Sequence, residues 1–153
     1  MQASGFEEFV AVVEPRLRRA LIATYGPERG REATAEALCW AFEHRDRLSR
    51  IRNPGAYLYR VGQSRSRLRM RRTLFERPTS EEPWVEPKLL AALAELPVNQ
   101  RVAVVLVHAH GWSSTEAAEW LGLRPATVQK QVERGLARLR QSLEGVDHEH
   151  DRN

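Results

Sequence analysis

The chain has 153 residues, which is enough for one domain or for two small helical ones. It contains no apolar run long enough to cross a membrane, and its acidic N-terminus lacks the basic start of a signal peptide. We therefore expect a cytoplasmic protein with no membrane partner. The single cysteine, Cys39, excludes an internal disulfide and a zinc site built from cysteines.

The net charge of +4 hides a strong segregation of charge along the chain. Residues 45–72 contain ten arginines and one aspartate and carry a net charge of +9, whereas the residues before and after them are acidic or neutral. Arginine binds phosphates and base edges in a fixed geometry. This segment therefore predicts a nucleic-acid surface, with an ordinary solvated face as the alternative.

Two amphipathic helices are predicted at the start of the chain. The first runs from Phe6 to about Tyr25, where apolar residues follow the helical period, and Gly26-Pro27 ends it. The second spans Glu28 to Leu48 and contains no proline. Trp40 fits equally well in the core or in an exposed contact with a partner. The residues predicted to face inward from the second helix are Ala33, Ala37, Leu38, Ala41 and Phe42.

A third helix is predicted from Asn53-Pro54, a cap followed by a first-turn proline, to about Leu74. Arginines go round most of its second half, so this end must project into solvent or onto a polyanion. Tyr57 and Tyr59 lie one to two turns upstream. They are candidates for stacking on single-stranded nucleic acid, or for structural packing. The arginines are Arg65, Arg67, Arg69, Arg71 and Arg72.

The segment 76–87 reads ERPTSEEPWVEP and predicts an extended acidic linker, because it has three prolines, four glutamates and no helical period. A short helix follows Pro87 and ends at Pro97. The apolar stretch from Gln100 to Ala109 predicts the buried central helix of a small bundle. Its β-branched residues also fit a strand, but nothing nearby offers a pairing strand.

The sequence predicts no metal, cofactor or catalytic site. His108 and His110 have no cysteine or carboxylate at ligand spacing nearby, so we interpret them as a pair at a helix C-terminus. His148 and His150 lie in a tail, residues 146–153, that we expect to be disordered. The chain has no phosphate-binding glycine loop, no serine nucleophile elbow and no carboxylate pair between apolar walls. We therefore expect no enzymatic activity.

Residues Gly111–Leu143 predict a helix-turn-helix. Ser113 followed by Glu116 is a capping box that starts the first helix, and Gly122 supplies the left-handed residue that ends it. Pro125 then opens the second helix. Apolar residues at helical spacing give that helix an inner face, which leaves a polar face directed away from the core. The polar face consists of Arg124, Thr127, Lys130, Gln131 and Arg134.

The order of these elements resembles the extracytoplasmic-function (ECF) group of bacterial sigma factors, the smallest members of the sigma-70 family. Three blocks carry the resemblance: FEEFVAVVEPRLRRAL, NPGAYLYRVGQSRSRLRMRR and LAALAELPVNQRVAVVLVHAHGWSSTEAAEWLGLRPATVQKQVERGLARLRQSL. The resemblance implies an all-α protein of two small helical domains. These are a region 2-like domain at residues 1–75, a linker at 76–87, a four-helix region 4-like domain at 88–145 and the tail at 146–153.

The resemblance further implies an RNA polymerase sigma factor that binds core RNA polymerase and promoter DNA, is a monomer when free, and has an anti-sigma factor as a further partner. Residues implied for the −35 element are Arg124, Thr127, Lys130, Gln131 and Arg134, with Ser113 and Ser114 on DNA phosphates. Those implied for the −10 element are Tyr57, Arg65, Arg67, Arg69, Arg71 and Arg72. Those implied for polymerase binding are Glu36, Trp40 and Glu43.

The chain departs from the family pattern in two places. The family's second helix usually carries an Asp-Leu-Val-Gln-Glu-type stretch that grips the polymerase coiled coil, and the matching residues here are Ala33-Thr34-Ala35-Glu36-Ala37. Ser64 and Leu68 stand where the −10 helix of the family has an asparagine and an aspartate. Two other functions are therefore considered: a stand-alone, dimeric helix-turn-helix transcriptional regulator, and a degenerate sigma-like protein that titrates an anti-sigma partner.

Overall fold

The computed structural model describes residues 2–69 and 87–150, with the backbone alone at 67–69 and 146–150. All regular structure in these residues is helical, so the predicted all-α class is confirmed. No helix in the described part of the chain is long and apolar enough to span a membrane. The α-helices are α1 (Ala3–Tyr25), α2 (Pro27–Glu43), α3 (Arg45–Leu48), α4 (Pro54–Arg69), α5 (Pro87–Glu95), α6 (Val98–Val104), α7 (Ser114–Leu121) and α8 (Pro125–His150).

Backbone contacts divide the chain into two compact units. The first unit comprises Met1–Glu76 and Glu119–Gly122, and the second comprises Arg77–Ala118 and Leu123–Asn153. Most of the predicted linker, residues 76–86, and the predicted end of the third helix beyond Arg69 lie outside the described residues.

The first unit is built on α1, α2 and α4, which pack against one another. Leu17, Leu21 and Leu58 are completely buried between them. At Gly30 the first two helices cross so closely that an added Cβ would lie 2.5 Å from the Cα atom of Ile22. The close crossing explains why glycine is needed at this position.

A buried polar chain links α1 to α4. The Thr24 hydroxyl donates to the carbonyl of Ala20 at 2.8 Å, and it lies 2.8 Å from the Tyr59 hydroxyl. Because the one hydroxyl hydrogen of Thr24 is already used, Tyr59 must be the donor in this second bond. Gln63 donates to the Tyr59 hydroxyl at 3.3 Å. Tyr59 is 2% exposed and is therefore structural, not a stacking residue.

The second helix ends earlier than predicted. A single helix to Leu48 was expected, but α2 stops at Glu43 and α3 forms a separate turn. His44 accounts for the break, since its ring Nδ1 lies 2.8 Å from the Trp40 carbonyl, which also accepts the His44 backbone N–H at 3.0 Å. A side chain that competes for a last-turn carbonyl favours termination of the helix.

The predicted inner face of α2 is correct for Ala33, Ala37 and Ala41, which are buried, but wrong for Phe42. Phe42 is 58% exposed because it lies about 100° round the helix from Ala41. Its ring packs edge-on against Phe6, with centroids 5.7 Å apart.

The second unit is built around α6, whose last five residues, 100–104, are buried. A π-helical turn, Val105–Ala109, continues α6, so the helix prediction for Gln100 to Ala109 is confirmed and the strand alternative is wrong. The wider turn is visible in the bond from the His110 N–H to the Val105 carbonyl, at 3.1 Å.

The last helix is longer than predicted. The disordered tail expected at 146–153 is wrong for residues 146–150, because α8 continues to His150. No proline lies between Leu143 and His150, and Gly145 alone does not break a helix that is already propagating. Residues 151–153 lie outside the described part of the chain.

Candidate nucleic-acid interface

The first helix of the helix-turn-helix, α7, begins with a complete capping box. The Ser113 Oγ accepts the backbone N–H of Glu116 at 3.1 Å, and the Glu116 carboxylate accepts the N–H of Ser113 at 3.1 Å. The predicted capping box is therefore confirmed. The start of a helix leaves backbone N–H groups without partners in the helix, and here each of the two side chains accepts one of them. These local bonds fix the direction of α7.

The turn between the two helices is equally well defined. Gly122 has φ +67°, and the Leu123 N–H bonds to the Ala118 carbonyl at 3.0 Å. This is a Schellman closure of α7, in which a left-handed residue allows the next N–H to reach back to the last turn. The Arg124 carbonyl accepts the Val128 N–H at 3.1 Å, so Arg124 caps α8 and Pro125 is its first residue, as predicted.

One face of α8 is anchored in the second unit. Val128 is completely buried, and Val132 and Leu139 are each 7% exposed. Leu139 belongs to a core cluster with Ala92, Leu96 and Val104. At Gly135 the helix approaches α6 so closely that an added Cβ would lie 2.6 Å from the Val104 Cγ2. These four positions, 128, 132, 135 and 139, follow the helical period and hold α8 rigidly.

A second face of α8, about 120° round the helix from the buried positions, carries the residues predicted for the −35 element. Lys130 and Arg134 are exposed, and Thr127 and Gln131 are partly exposed. Their spacing of i, i+3, i+4 and i+7 places them on one stripe about 10 Å long, a length that matches about three base pairs. Arg124, also exposed, precedes the stripe by one turn. The structure therefore places all five predicted residues at one accessible face.

Two residues extend this stripe and were missed by the sequence reasoning. Arg138 and Gln141 are exposed and continue the same spacing by two further turns. The same periodicity that identified the other members would have found them. Arg138 adds a cation and Gln141 adds an amide that can both donate and accept hydrogen bonds.

The residues predicted for DNA phosphates lie at the positive end of α7. Ser113 is exposed and Ser114, the first residue of the helix, is partly exposed. The Ser113 oxygen accepts the capping bond, which leaves its hydroxyl hydrogen available to donate. A helix N-terminus with hydroxyl donors suits an anionic ligand.

The residues predicted for the −10 element are only partly within the described structure. Tyr57 is partly buried at the start of α4, where the Asn53 side chain caps the helix by accepting the Ala56 N–H at 3.1 Å. Arg65 is exposed and the adjacent Ser66 is buried. The side chains of Arg67 and Arg69, and all of Arg71 and Arg72, lie outside the described part of the chain.

The three residues predicted for polymerase binding follow one stripe of α2 at i, i+4 and i+7. Glu43 is exposed and Glu36 is partly exposed. Trp40, however, stacks on His44 with ring centroids 4.3 Å apart and lies 5.3 Å from the Tyr57 ring. The structure thus brings together Trp40 and Tyr57, which the sequence assigned to two different partners.

The stretch matched to the family's polymerase-gripping motif is mostly internal. Ala33, Thr34 and Ala37 are buried, and the Thr34 hydroxyl bonds to the Gly30 carbonyl at 2.7 Å within the same helix. Only Ala35 is exposed, with Glu36 partly so. Within residues 2–69 and 87–150 no group of three or more histidine, cysteine, aspartate or glutamate side chains is placed to hold a metal ion.

Comparison with known proteins agrees with this geometry. A family model described as sigma-70, region 4, matches residues 87–139, which include α5 to α7 and the first half of α8. The RNA polymerase sigma-E factor of Streptomyces avermitilis is 32% identical over 155 residues, covering 93% of this chain and 87% of that protein. The sigma factor CarQ of Myxococcus xanthus is 35% identical over 66 residues, covering 43% of this chain and 38% of CarQ.

Two solved structures share the fold. The sigma factor RpoE of Bartonella quintana, in complex with the anti-sigma factor NepR, has a TM-score of 0.71 and 22% identity, covering 93% of this chain and 98% of RpoE. CnrH in complex with the cytosolic domain of CnrY has a TM-score of 0.66 and 23% identity, covering 94% of this chain and 90% of CnrH.

Proposed function

This chain belongs to the ECF group of the sigma-70 family and is an RNA polymerase sigma factor, and we propose that its two helical units divide promoter recognition between them. The second unit reads the −35 element through α8. The first unit binds the −10 element and core RNA polymerase. The chain acts in the cytoplasm as a regulatory subunit with no enzymatic activity of its own, and it is a monomer when free.

The stripe on α8 has the side chains that base readout requires. Arg124, Lys130 and Arg134 can donate to guanine, and Gln131 can pair with adenine. The anchored face of α8 supports this role, because a helix held by Val128, Val132 and Leu139 presents its outer side chains in a fixed register. Rigid presentation and an accessible polar stripe are what major-groove recognition by a helix-turn-helix needs.

Ser113 and Ser114 bind DNA phosphates in this proposal. They precede α8 in the motif and lie at the start of the helix that crosses the DNA backbone in other helix-turn-helix proteins. Contacts of this kind position the protein on the duplex without reading its sequence.

The −10 element is bound by α4. The segment 45–72, with its net charge of +9, supplies the phosphate attraction, and Tyr57 supplies an aromatic surface at the start of the helix. Among the predicted arginines, Arg65 is exposed, as a phosphate ligand must be. Arg67, Arg69, Arg71 and Arg72 complete the predicted set.

Core polymerase is bound by the outer side of α2, through Glu36 and Glu43. Both carboxylates are accessible at least in part and are separated by two helical turns. The structural neighbours RpoE and CnrH are bound to NepR and to CnrY. An anti-sigma factor is therefore a further proposed partner of this chain.

One observation carries the proposal for the −35 element: a continuous polar stripe on the accessible face of a helix whose other face is buried. The test uses two glutamines of α8. Gln131 lies on the stripe, whereas Gln129, also exposed, lies about 200° away round the helix. The full chain is combined with core polymerase, and run-off transcription on genomic fragments identifies the promoter.

Gln131→Ala should then lower promoter-specific initiation, and Gln129→Ala should leave it unchanged. Equal effects of the two substitutions would show that this face does not read DNA. A wild-type chain that fails to bind core polymerase at micromolar concentration would overturn the proposal as a whole.

A further inference from the structure

We propose that Trp120 makes an autoinhibitory contact within the first unit, and that this contact must break before the chain can initiate transcription. The chain then inhibits itself without a partner protein. This inference rests on the proposed function and adds a means of regulation to it.

Trp120 is a buried residue of the first unit. It lies in the segment Glu119–Gly122, which groups with the first unit by its backbone contacts, and it is 5% exposed. An added Cβ at Gly55, in the first turn of α4, would lie 2.5 Å from the Trp120 Cζ2 and 2.9 Å from its Cη2. Even one methyl group at position 55 would therefore overlap the indole ring. The surface of α4 accommodates Trp120 because this position is glycine.

Two other side chains make the site specific for a tryptophan ring. The Arg16 Cζ lies over the Trp120 ring, 5.7 Å from its centroid, which is within the range of a cation–π interaction. The Tyr59 ring centroid lies 6.4 Å from that of Trp120, at an interplanar angle of 51°. Leucine at position 120 would keep much of the apolar area but lose both interactions.

A polar contact lies beside the indole. The Asn53 Nδ2 donates to the Glu119 carboxylate at 3.1 Å, while the Oδ1 of the same side chain accepts the Ala56 N–H at 3.1 Å and caps α4. One asparagine therefore joins the start of α4 to the residue before Trp120. This bond is exposed, so we assign most of the binding free energy to burial of the indole.

The reach of the chain shows why this contact opposes initiation. Arg124 follows Trp120 by four residues, which span at most about 14 Å. The stripe from Arg124 to Arg134 adds about 15 Å, and the 16 residues of α4 add about 24 Å. Placed end to end, these segments extend about 50 Å.

The two promoter elements are farther apart than this reach. Their numbering places the −10 and −35 elements about 25 base pairs apart, which is ~85 Å of duplex. While Trp120 lies on α4, the chain cannot place α4 on one element and α8 on the other. Trp120 must leave Gly55 before both are bound, so the population that retains the contact lowers the apparent affinity for the promoter.

The first test breaks the contact from each side. Gly55→Ala places a methyl group against the indole, and Trp120→Leu removes the ring. The matched control is Gly145→Ala, which adds the same methyl group where no described atom lies within 4 Å. Each full chain is titrated into a limiting amount of core polymerase. Run-off transcription from the identified promoter gives the chain concentration for half-maximal initiation.

Gly55→Ala and Trp120→Leu should each lower this concentration by at least 5-fold, whereas Gly145→Ala should behave as wild type. In a Trp120→Leu background Gly55→Ala should have no further effect, because the two substitutions act on one contact. Circular dichroism verifies folding, and if Trp120→Leu does not fold, Gly55→Ala alone provides the test.

The second test holds the contact in place. Asn53→Cys and Glu119→Cys are combined in a Cys39→Ser background, and a bis-methanethiosulfonate reagent joins the two thiols. The reagent forms a disulfide with each thiol and releases methanesulfinate. The joined chain should fail to initiate, and reductant should restore the activity of the untreated variant. The two single-cysteine variants, treated in the same way, should keep their activity.

Three results would overturn the inference. Full initiation by the joined chain would show that the contact is compatible with promoter binding. An unchanged half-maximal concentration in Gly55→Ala and Trp120→Leu would show that the contact does not oppose initiation. Failure of the wild-type chain to initiate with core polymerase would overturn the proposed function, and the inference with it; the wild-type control distinguishes this result from the other two.

Discussion

Replacement of Gly135 by alanine should weaken the packing of α8 against α6 in the core of the second unit. An ideal Cβ at this position lies 2.6 Å from the Val104 Cγ2, 3.4 Å from the Gln100 carbonyl oxygen and 3.5 Å from the Gln100 Cβ. Non-bonded carbon atoms prefer a separation of about 3.5–4.0 Å. The contact with Val104 is therefore short by about 1 Å. Val104 is 6% exposed, and branching at its Cβ atom restricts rotation about χ1, so its methyl group cannot readily turn away from the added Cβ.

The expected change in stability has two parts of opposite sign. Alanine is preferred over glycine inside a helix by about 1 kcal/mol. Forcing an extra methyl group into a packed core costs about 1–3 kcal/mol. Gly145, in the same helix, has no atom within 4 Å of an added Cβ, so Gly145→Ala has only the first part. The difference between the two variants isolates the packing cost, and Gly135→Ala should be about 1–3 kcal/mol less stable than Gly145→Ala.

Hydrogen exchange of the α6 and α8 amides is the appropriate assay, because it reports on local unfolding in a chain of two units. A urea titration of the full chain provides the global value. In a Val104→Ala background the cost of Gly135→Ala should shrink, because the two sites are coupled. Equal protection of α6 in Gly135→Ala and Gly145→Ala would refute the close approach of the two helices.

Ser113→Ala removes the Ser113 hydroxyl that accepts the Glu116 N–H in the capping box and should destabilise the second unit by about 1 kcal/mol, measured by thermal denaturation. Tyr59→Phe removes the donor to Thr24 and should cost about 1–2 kcal/mol in a urea titration, because a buried hydrogen bond is lost. Gln131→Ala should lower discrimination at one base pair by about 1–3 kcal/mol, measured by competition between promoter variants. Arg138→Ala should instead weaken all sequences alike and reduce the slope of log affinity against log salt by about 1.

The helix-turn-helix could be predicted in detail because each of its signals is local. Ser113 and Glu116 are three residues apart and bond to each other, and Gly122 is the residue that must adopt the left-handed conformation. Pro125 begins the next helix. In such a motif, residues a few positions apart in the sequence also contact each other in space. The pattern of residue types is therefore sufficient to predict the structure.

The contacts among the rings of Trp40, His44 and Tyr57 could not be predicted, because tertiary packing brings these residues together. Trp40 and Tyr57 lie on two helices, separated by α3 and a connection, and periodicity identifies the face of each helix but not its neighbour. His44 makes two contacts that the sequence did not predict. Its imidazole bonds to the Trp40 carbonyl in the last turn of α2, and the same ring stacks on the Trp40 ring. The same bond accounts for the wrongly predicted end of α2.

The family pattern was also an incomplete guide to α2. Most of the polar groups of the family's polymerase-gripping stretch are missing from the five matching residues, 33–37. The structure adds that Ala33, Thr34 and Ala37 are buried, so these positions are packing residues whatever their type. The accessible positions, Ala35 and Glu36, are the ones at which the departure from the family bears on polymerase binding.

The distribution of charge separates affinity from specificity in this chain. Residues 101–153 carry seven basic and seven acidic side chains, so the unit with the base-reading stripe is electrically neutral, whereas residues 45–72 carry +9. Phosphate contacts supply most of the salt-dependent binding free energy without distinguishing sequences, and contacts to base edges supply discrimination. We therefore expect added salt to lower the affinity of the holoenzyme for all promoters together, because it acts mainly on the arginine-rich segment, while the base preference set by α8 stays the same.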